Sequence, residues 1–124
     1  MELITWYEKY SVNNEVFDNH HKELFYLINN LFDSYMANNI ANNYAQDLVS
    51  MAKLHISAEE HYMRSIGYED INEHIYENKI FIQKTLQLQQ AVNNDDYELT
   101  RRLIEYLGYW LLNHVMVNDR KFAI

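Results

Sequence analysis

The chain has no cysteine and no proline, and only two of its 124 residues are glycine. Without cysteine, disulfides and thiolate chemistry are excluded, and any metal must be held by nitrogen and oxygen. Without proline, and with so little glycine, almost nothing interrupts a helix. Leucine, isoleucine, alanine, glutamate and lysine recur throughout, so the composition predicts an all-α protein. The length fits one domain, residues 1–124, that must bury a compact core. Positive charge is also scarce: 10 Lys and Arg against 18 Asp and Glu leave a net charge of −8. That balance argues against nucleic acid or an anionic membrane surface as partner. The pair Arg101-Arg102 is too short for a binding patch and reads as a solvated helix face. No segment approaches the roughly 20 apolar residues needed to span a bilayer. The start, Met1-Glu2-Leu3-Ile4-Thr5-Trp6, lacks the basic region and long apolar run of a secretory signal. A cytoplasmic protein is the expectation.

Four amphipathic stretches follow an irregular N-terminal arm. The first spans about Asp18 to Ala37, with Asp18 as N-cap, and carries His21, Phe25, Ile28, Phe32 and Tyr35 on one face. The second starts near Asn43, with Gln46 placed as in a capping box, and ends at Gly67 as C′ residue. Its inward face reads Leu48, Ala52, His55, Glu59, Tyr62 or Met63, and Ile66. The third opens with a box-like Asp70-Ile71-Asn72-Glu73 and aligns Ile71, His74, Asn78, Phe81 or Ile82, and Thr85. The fourth starts near Asp95, with Glu98 three residues on. Leu99, Leu103, Leu107, Trp110 or Leu111, and His114 line its inner stripe. The connections are short, so neighbouring helices must run antiparallel, which predicts an up-down-up-down four-helix bundle.

The polar residues on those apolar stripes carry the chemistry. His55 and Glu59 are four apart, offset by roughly 40° on a helix, and can reach one ion. Such a pair is common on surface helices, but these two continue the apolar face of Leu48 and Ala52, while Glu60 falls to the side. A carboxylate forced into a core needs a counter-charge, and a metal supplies one. His21, His74 and His114 each lie on the apolar stripe of their own helix. A lone histidine there is usually a hydrogen-bonded core residue; four on four helices, together with Glu59, reverse that reading. In an antiparallel bundle all four fall at a similar height, toward one end. With Asp119 they form six metal-ligand-type side chains, which suggests a buried pair of metal ions. Imidazole with a bridging carboxylate suits iron or another first-row transition metal.

The chain resembles the hemerythrin family over nearly its whole length. The resemblance rests on Asp18-Asn19-His20-His21, on His55-Ile56-Ser57-Ala58-Glu59-Glu60-His61-Tyr62-Met63, and on Gly67-Tyr68. His74, Trp110-Leu111-Leu112-Asn113-His114 and Asp119 complete it. Hemerythrins are themselves a reference case of the up-down-up-down bundle, so the topology is not independent of the resemblance. The resemblance implies a non-haem centre of two iron ions joined by an oxo or hydroxo group, with Glu59 and Asp119 bridging. It places His21 and His55 on one iron and His74 and His114 on the other, with O2 binding at the less saturated iron. Phe25, Trp110 and Leu111 would wall a dry pocket around the bound molecule.

The departures from the family are specific. Asn78 stands where the family has a histidine, so the iron of His74 and His114 loses an imidazole. Asn78 through its carbonyl oxygen, or a water, would fill the position and leave that iron open to an exogenous ligand. Tyr62, one turn past Glu59, is either a phenolate ligand or, more simply, a core tyrosine. Glu77 could swing in as a ligand, though its helical position points it sideways. His20 replaces a usual glutamine, Asn13 a usual glycine whose left-handed backbone asparagine tolerates, and His61 is a surface residue. The leading expectation is reversible O2 binding for storage, delivery or sensing. The alternative is a di-iron enzyme or sensor that reacts with peroxide, O2 or NO at the iron opened by Asn78. A third class, a metal-free or mononuclear bundle acting as an interaction module, leaves the buried polar set unexplained. The family includes monomers and larger assemblies, and the eleven tyrosines fit either an interface or the core and rim of a small domain.

Overall fold

The computed structural model describes residues 2–38 and 42–118. These form four α-helices, α1 (Glu15–Met36), α2 (Asn42–Ile66), α3 (Ile71–Asn93) and α4 (Tyr97–Asn113), with no strand among the described residues. A 3-10 turn at Glu8–Tyr10 lies in the N-terminal arm, and a π-helical turn, His114–Asn118, follows α4. Each helix packs chiefly on the next in sequence, and α1 closes against α4. That ring is the expected four-helix bundle. No helix among the described residues is long and apolar enough to cross a membrane.

The helix ends explain the topology. α1 is capped by Asn14, whose side chain accepts from the Phe17 amide at 3.1 Å. The helical pattern predicts this cap at Asp18. Asp18 instead lies inside the first turn, and its carboxylate accepts from the Val12 amide at 2.9 Å and from the Ser11 hydroxyl. The aspartate therefore clasps the arm onto the helix. Asn13 adopts φ 57°, the left-handed backbone expected of it.

α2 ends as predicted at Gly67, φ 67°. The Tyr68 amide reaches Met63 O at 3.0 Å and the Gly67 amide Arg64 O at 3.3 Å, a Schellman pair that satisfies the last carbonyls. The same pair closes α3, with Asp95 left-handed at φ 54° and the Asp96 amide on Ala91 O at 2.9 Å. Asp96, one residue past the predicted start, then caps α4 by accepting from the Leu99 amide. Asp70 holds the N-cap position of α3 but makes no side-chain cap bond, so the box read there does not form.

The core runs the length of the bundle through Leu24, Ile28, Leu31, Leu48, Ala52, Phe81, Leu88, Leu103, Leu107 and Leu111. Each fully buried leucine stabilises by about 1.5–3 kcal/mol over leaving it exposed. Leu99 and Ile66, predicted to face inward, are instead exposed, at 41% and 49%. Both sit in a terminal turn, where the chain is leaving the bundle and a neighbour no longer covers it. The arm crosses α1 and α4: Asn29 accepts from the Leu3 and Ile4 amides and donates to Ile4 O at 2.8 Å. Gly108 permits this approach, because a Cβ there would sit 2.9 Å from Leu3 Cδ2.

Candidate metal centre

The centre is built around one carboxylate. Glu59 on α2 has no exposure to solvent, and imidazoles from α1, α2, α3 and the π turn that follows α4 converge on it. Its Oε2 lies 2.7 Å from His55 Nε2, 2.9 Å from His114 Nε2 and 3.9 Å from His21 Nε2. Its Oε1 faces His74 Nε2 at 3.3 Å. His21 and His55 approach each other through their Nε2 atoms at 3.2 Å. Helical geometry explains the convergence: His55 and Glu59 share a face one turn apart, and antiparallel packing brings the other three to the same level.

The ligand atoms of His21, His55, Glu59 and His114 all lie within 4.8 Å of one another. The carboxylate thus sorts the imidazoles unevenly. Three gather around Oε2, and His74 alone faces Oε1. On the His74 side, one turn further along α3, Asn78 is 1% exposed. Neither of its amide atoms finds a hydrogen-bond partner among the described residues. A buried amide left so costs about 1–3 kcal/mol per unmet group. Asp119, the sixth ligand expected from the sequence, lies outside the described residues.

These observations fit a metal. A buried carboxylate ringed by neutral imidazole nitrogens is stable only with a cation or protons between them. An all-nitrogen-and-oxygen donor set of this kind suits iron and its first-row neighbours.

The surrounding rings fix the ligands. Trp110 is sandwiched, stacking on Phe81 at 4.3 Å and 6° and on the His114 imidazole at 4.7 Å and 16°. Leu111 is fully buried in the core beside it. Phe25, one turn beyond His21, meets Trp6 and Tyr10 of the arm rather than an imidazole. Trp6 itself reaches His21 at 6.5 Å between ring centres, a contact the sequence reading did not contain. Phe17 packs edge-on to His55 at 5.9 Å and to Tyr62 at 5.5 Å. Tyr62 belongs with Val12, Phe17 and Met63 to a small apolar cluster, as a core tyrosine would. Glu77 is half-buried and His61 exposed.

Two further features were not anticipated. His20 places Nδ1 3.1 Å from His55 Nδ1. Burial first, and then the neighbouring His55 and His21, hold its pKa below the ordinary histidine value, with Glu59 pulling the other way. The doublet His20-His21 was the available signal, since adjacent residues on a helix face different neighbours. The second feature is the π turn that begins at His114. Such turns are rare and cluster at functional sites, and no residue pattern announces this one.

Residues 12–123 match the family model described as "Hemerythrin HHE cation binding domain". The chain is 23% identical to a bacteriohemerythrin of Clostridium acetobutylicum, over 97% of this chain and 98% of the relative. It is 26% identical to a bacteriohemerythrin of Methylococcus capsulatus, over 99% and 96% respectively. A myohemerythrin of Theromyzon tessulatum is 27% identical, over 98% of this chain and 92% of its own length.

Proposed function

Because the chain belongs to the hemerythrin family and gathers histidines and a glutamate suited to non-haem iron, we propose that it holds two iron ions and binds O2 reversibly. One observation carries this reading: Glu59, wholly buried, turns one oxygen to His55 and His114 and the other to His74. A carboxylate engaged through both oxygens is what a bridge between two ions requires. The iron pair, with an oxo or hydroxo bridge, would supply the redox couple on which O2 binding depends.

The protein's own part is to hold, orient and exclude. In the assignment the family implies, His21 and His55 serve one ion, His74 and His114 the other, and Asp119 is the second bridging carboxylate. Around Glu59, however, His114 stands with His21 and His55, so an ion held beside His74 would have fewer donors close at hand. Trp110 holds the His114 ring flat against its own face. Leu111 and Phe25 contribute apolar surface that keeps water out, which strengthens electrostatic interactions within. We place the whole chain, residues 1–124, in one hemerythrin-like domain, and the protein in the cytoplasm. The test is iron stoichiometry combined with absorption spectra recorded anaerobically and then in air. Two irons per chain and a spectral change reversed by removing O2 are expected. One iron or none would sink the proposal.

The second reading is a di-iron enzyme or sensor for peroxide, O2 or NO. It draws on Asn78, a weak donor buried with its amide unmatched where the family has an imidazole. A metal position short of a ligand favours turnover of an incoming molecule over storage. Asn78→His separates the readings. Peroxide consumption that disappears in the variant favours the enzyme, and equal rates in both proteins count against it.

A further inference from the structure

Among the described residues, His20 is a titratable side chain that touches the cluster through a ring nitrogen without being one of its expected metal ligands. It is half-buried on α1, next to His21 in sequence, and its ring stands at 90° to that of His55 with centres 5.2 Å apart. Both nitrogens of His55 are consequently engaged: Nδ1 with His20 Nδ1 at 3.1 Å, Nε2 with Glu59 Oε2 at 2.7 Å. Phe17 packs against both rings, at 6.3 Å from His20 and 5.9 Å from His55, and so holds the pair from its apolar side.

Two imidazoles that meet through Nδ1 share one hydrogen: one ring presents N–H and the other a lone pair. Neutral imidazole carries its single hydrogen on one nitrogen only. The two arrangements of the pair are therefore tied to the far side of His55. When His55 Nε2 carries the hydrogen and donates to Glu59, its Nδ1 is bare and accepts from His20 Nδ1–H. When His55 Nε2 is bare, as a metal ligand requires, its hydrogen is on Nδ1 and donates to a bare His20 Nδ1.

We propose that His20 is the positioning residue for His55, accepting its Nδ1–H so that Nε2 is bare and aimed at the ion beside Glu59. The assignment rests on the reading that this cluster binds metal. It differs from a packing role, in which His20 would only fill space beside Phe17. Partners that orient a metal-bound imidazole in this way typically govern 10–100-fold in metal affinity. An imidazole here can also exchange donor for acceptor by shifting its hydrogen between nitrogens. It can therefore serve both the metal-free and the metal-bound state.

The experiment uses the full chain, with Zn(II) as a diamagnetic probe. Affinity is measured by competition with a chromophoric chelator for wild type, His20→Gln and His20→Leu. Long-range 15N–1H spectra of labelled histidine report which nitrogen of His55 carries hydrogen. The expected result is near wild-type affinity for His20→Gln, whose amide oxygen accepts the same bond. His20→Leu should lose about 10–100-fold and show a weakened or absent His55 Nδ1–H signal in the loaded state. Equal affinity and an unchanged His55 signal in His20→Leu would overturn the assignment while leaving the metal centre standing. Failure of wild type itself to take up Zn(II) would overturn the metal centre and this assignment together. Helical circular dichroism of each metal-free variant separates loss of fold from loss of affinity, and His20→Gln provides the rescue if His20→Leu does not fold.

Discussion

The two ends of the bundle are made by the same helices and filled by opposite chemistry. Toward one end, Ile28, Leu31, Leu48, Leu88, Leu103 and Leu107 meet in an apolar interior. One buried threonine of that region, Thr85, donates its hydroxyl to Ile82 O at 2.7 Å on its own helix; Thr100 is buried as well. Toward the other, His21, His55, Glu59, His74, Asn78 and His114 occupy the corresponding inward positions with almost no exposure. The apolar end gains its free energy chiefly from burial of hydrocarbon. The polar end forgoes that gain and accepts a buried charge. The contrast teaches that the fold is secured in one half so that the other can be assembled for chemistry.

The comparison can be broken most forcefully at Glu59. Glu59→Leu should lose metal affinity by 100-fold or more, on the order of a missing ligand with its neighbours disturbed. Its metal-free stability in urea should fall, because His55, His74 and His114 stay buried while losing the carboxylate they face. The rise in melting temperature on adding metal should vanish. Unchanged metal-free stability would show that these contacts contribute nothing to the fold and serve the metal alone.

At the apolar end, Leu107→Ala should cost about 2–5 kcal/mol in urea unfolding through the cavity it leaves. Iron bound per folded chain should not change. Loss of iron in proportion to stability would mean that the two ends are coupled, not divided. The smallest effect is expected at the turn joining α2 to α3. Gly67→Ala must adopt φ 67° with no atom within 4 Å of the new Cβ, so only backbone strain of about 1–2 kcal/mol is at issue. Equal melting temperatures for the two proteins would remove the left-handed C′ residue from the account of that turn.

Much of this division was legible in the sequence, since it is written as residue type on a helical period. His55 and Glu59 extend the stripe of Leu48 and Ala52, and the period that buries the leucines also buries the ligands. Gly67 signalled its turn because few residues adopt that backbone freely. The Asp18 cap was misplaced because aspartate near a helix start has two uses, and the choice depends on where Ser11 and Val12 lie. Leu99 and Ile66 fit the stripe but lie beyond the cover of a neighbour, which periodicity does not measure. The pairing of His20 with His55 and the uneven grouping around Glu59 needed the bundle itself. Both depend on the rotation of one helix against another, a quantity absent from any single stretch of chain.

The chain contains two tryptophans, and each lies against a different imidazole of the centre. Trp6 in the arm approaches His21, and Trp110 on α4 stacks on His114. Indole fluorescence responds to the charge, stacking and electronic state of what it touches. The protein is thus supplied with two native optical reporters, one reading the α1 side of the site and one the α4 side. A single Trp→Phe change at either position would leave a protein that reports on one side alone.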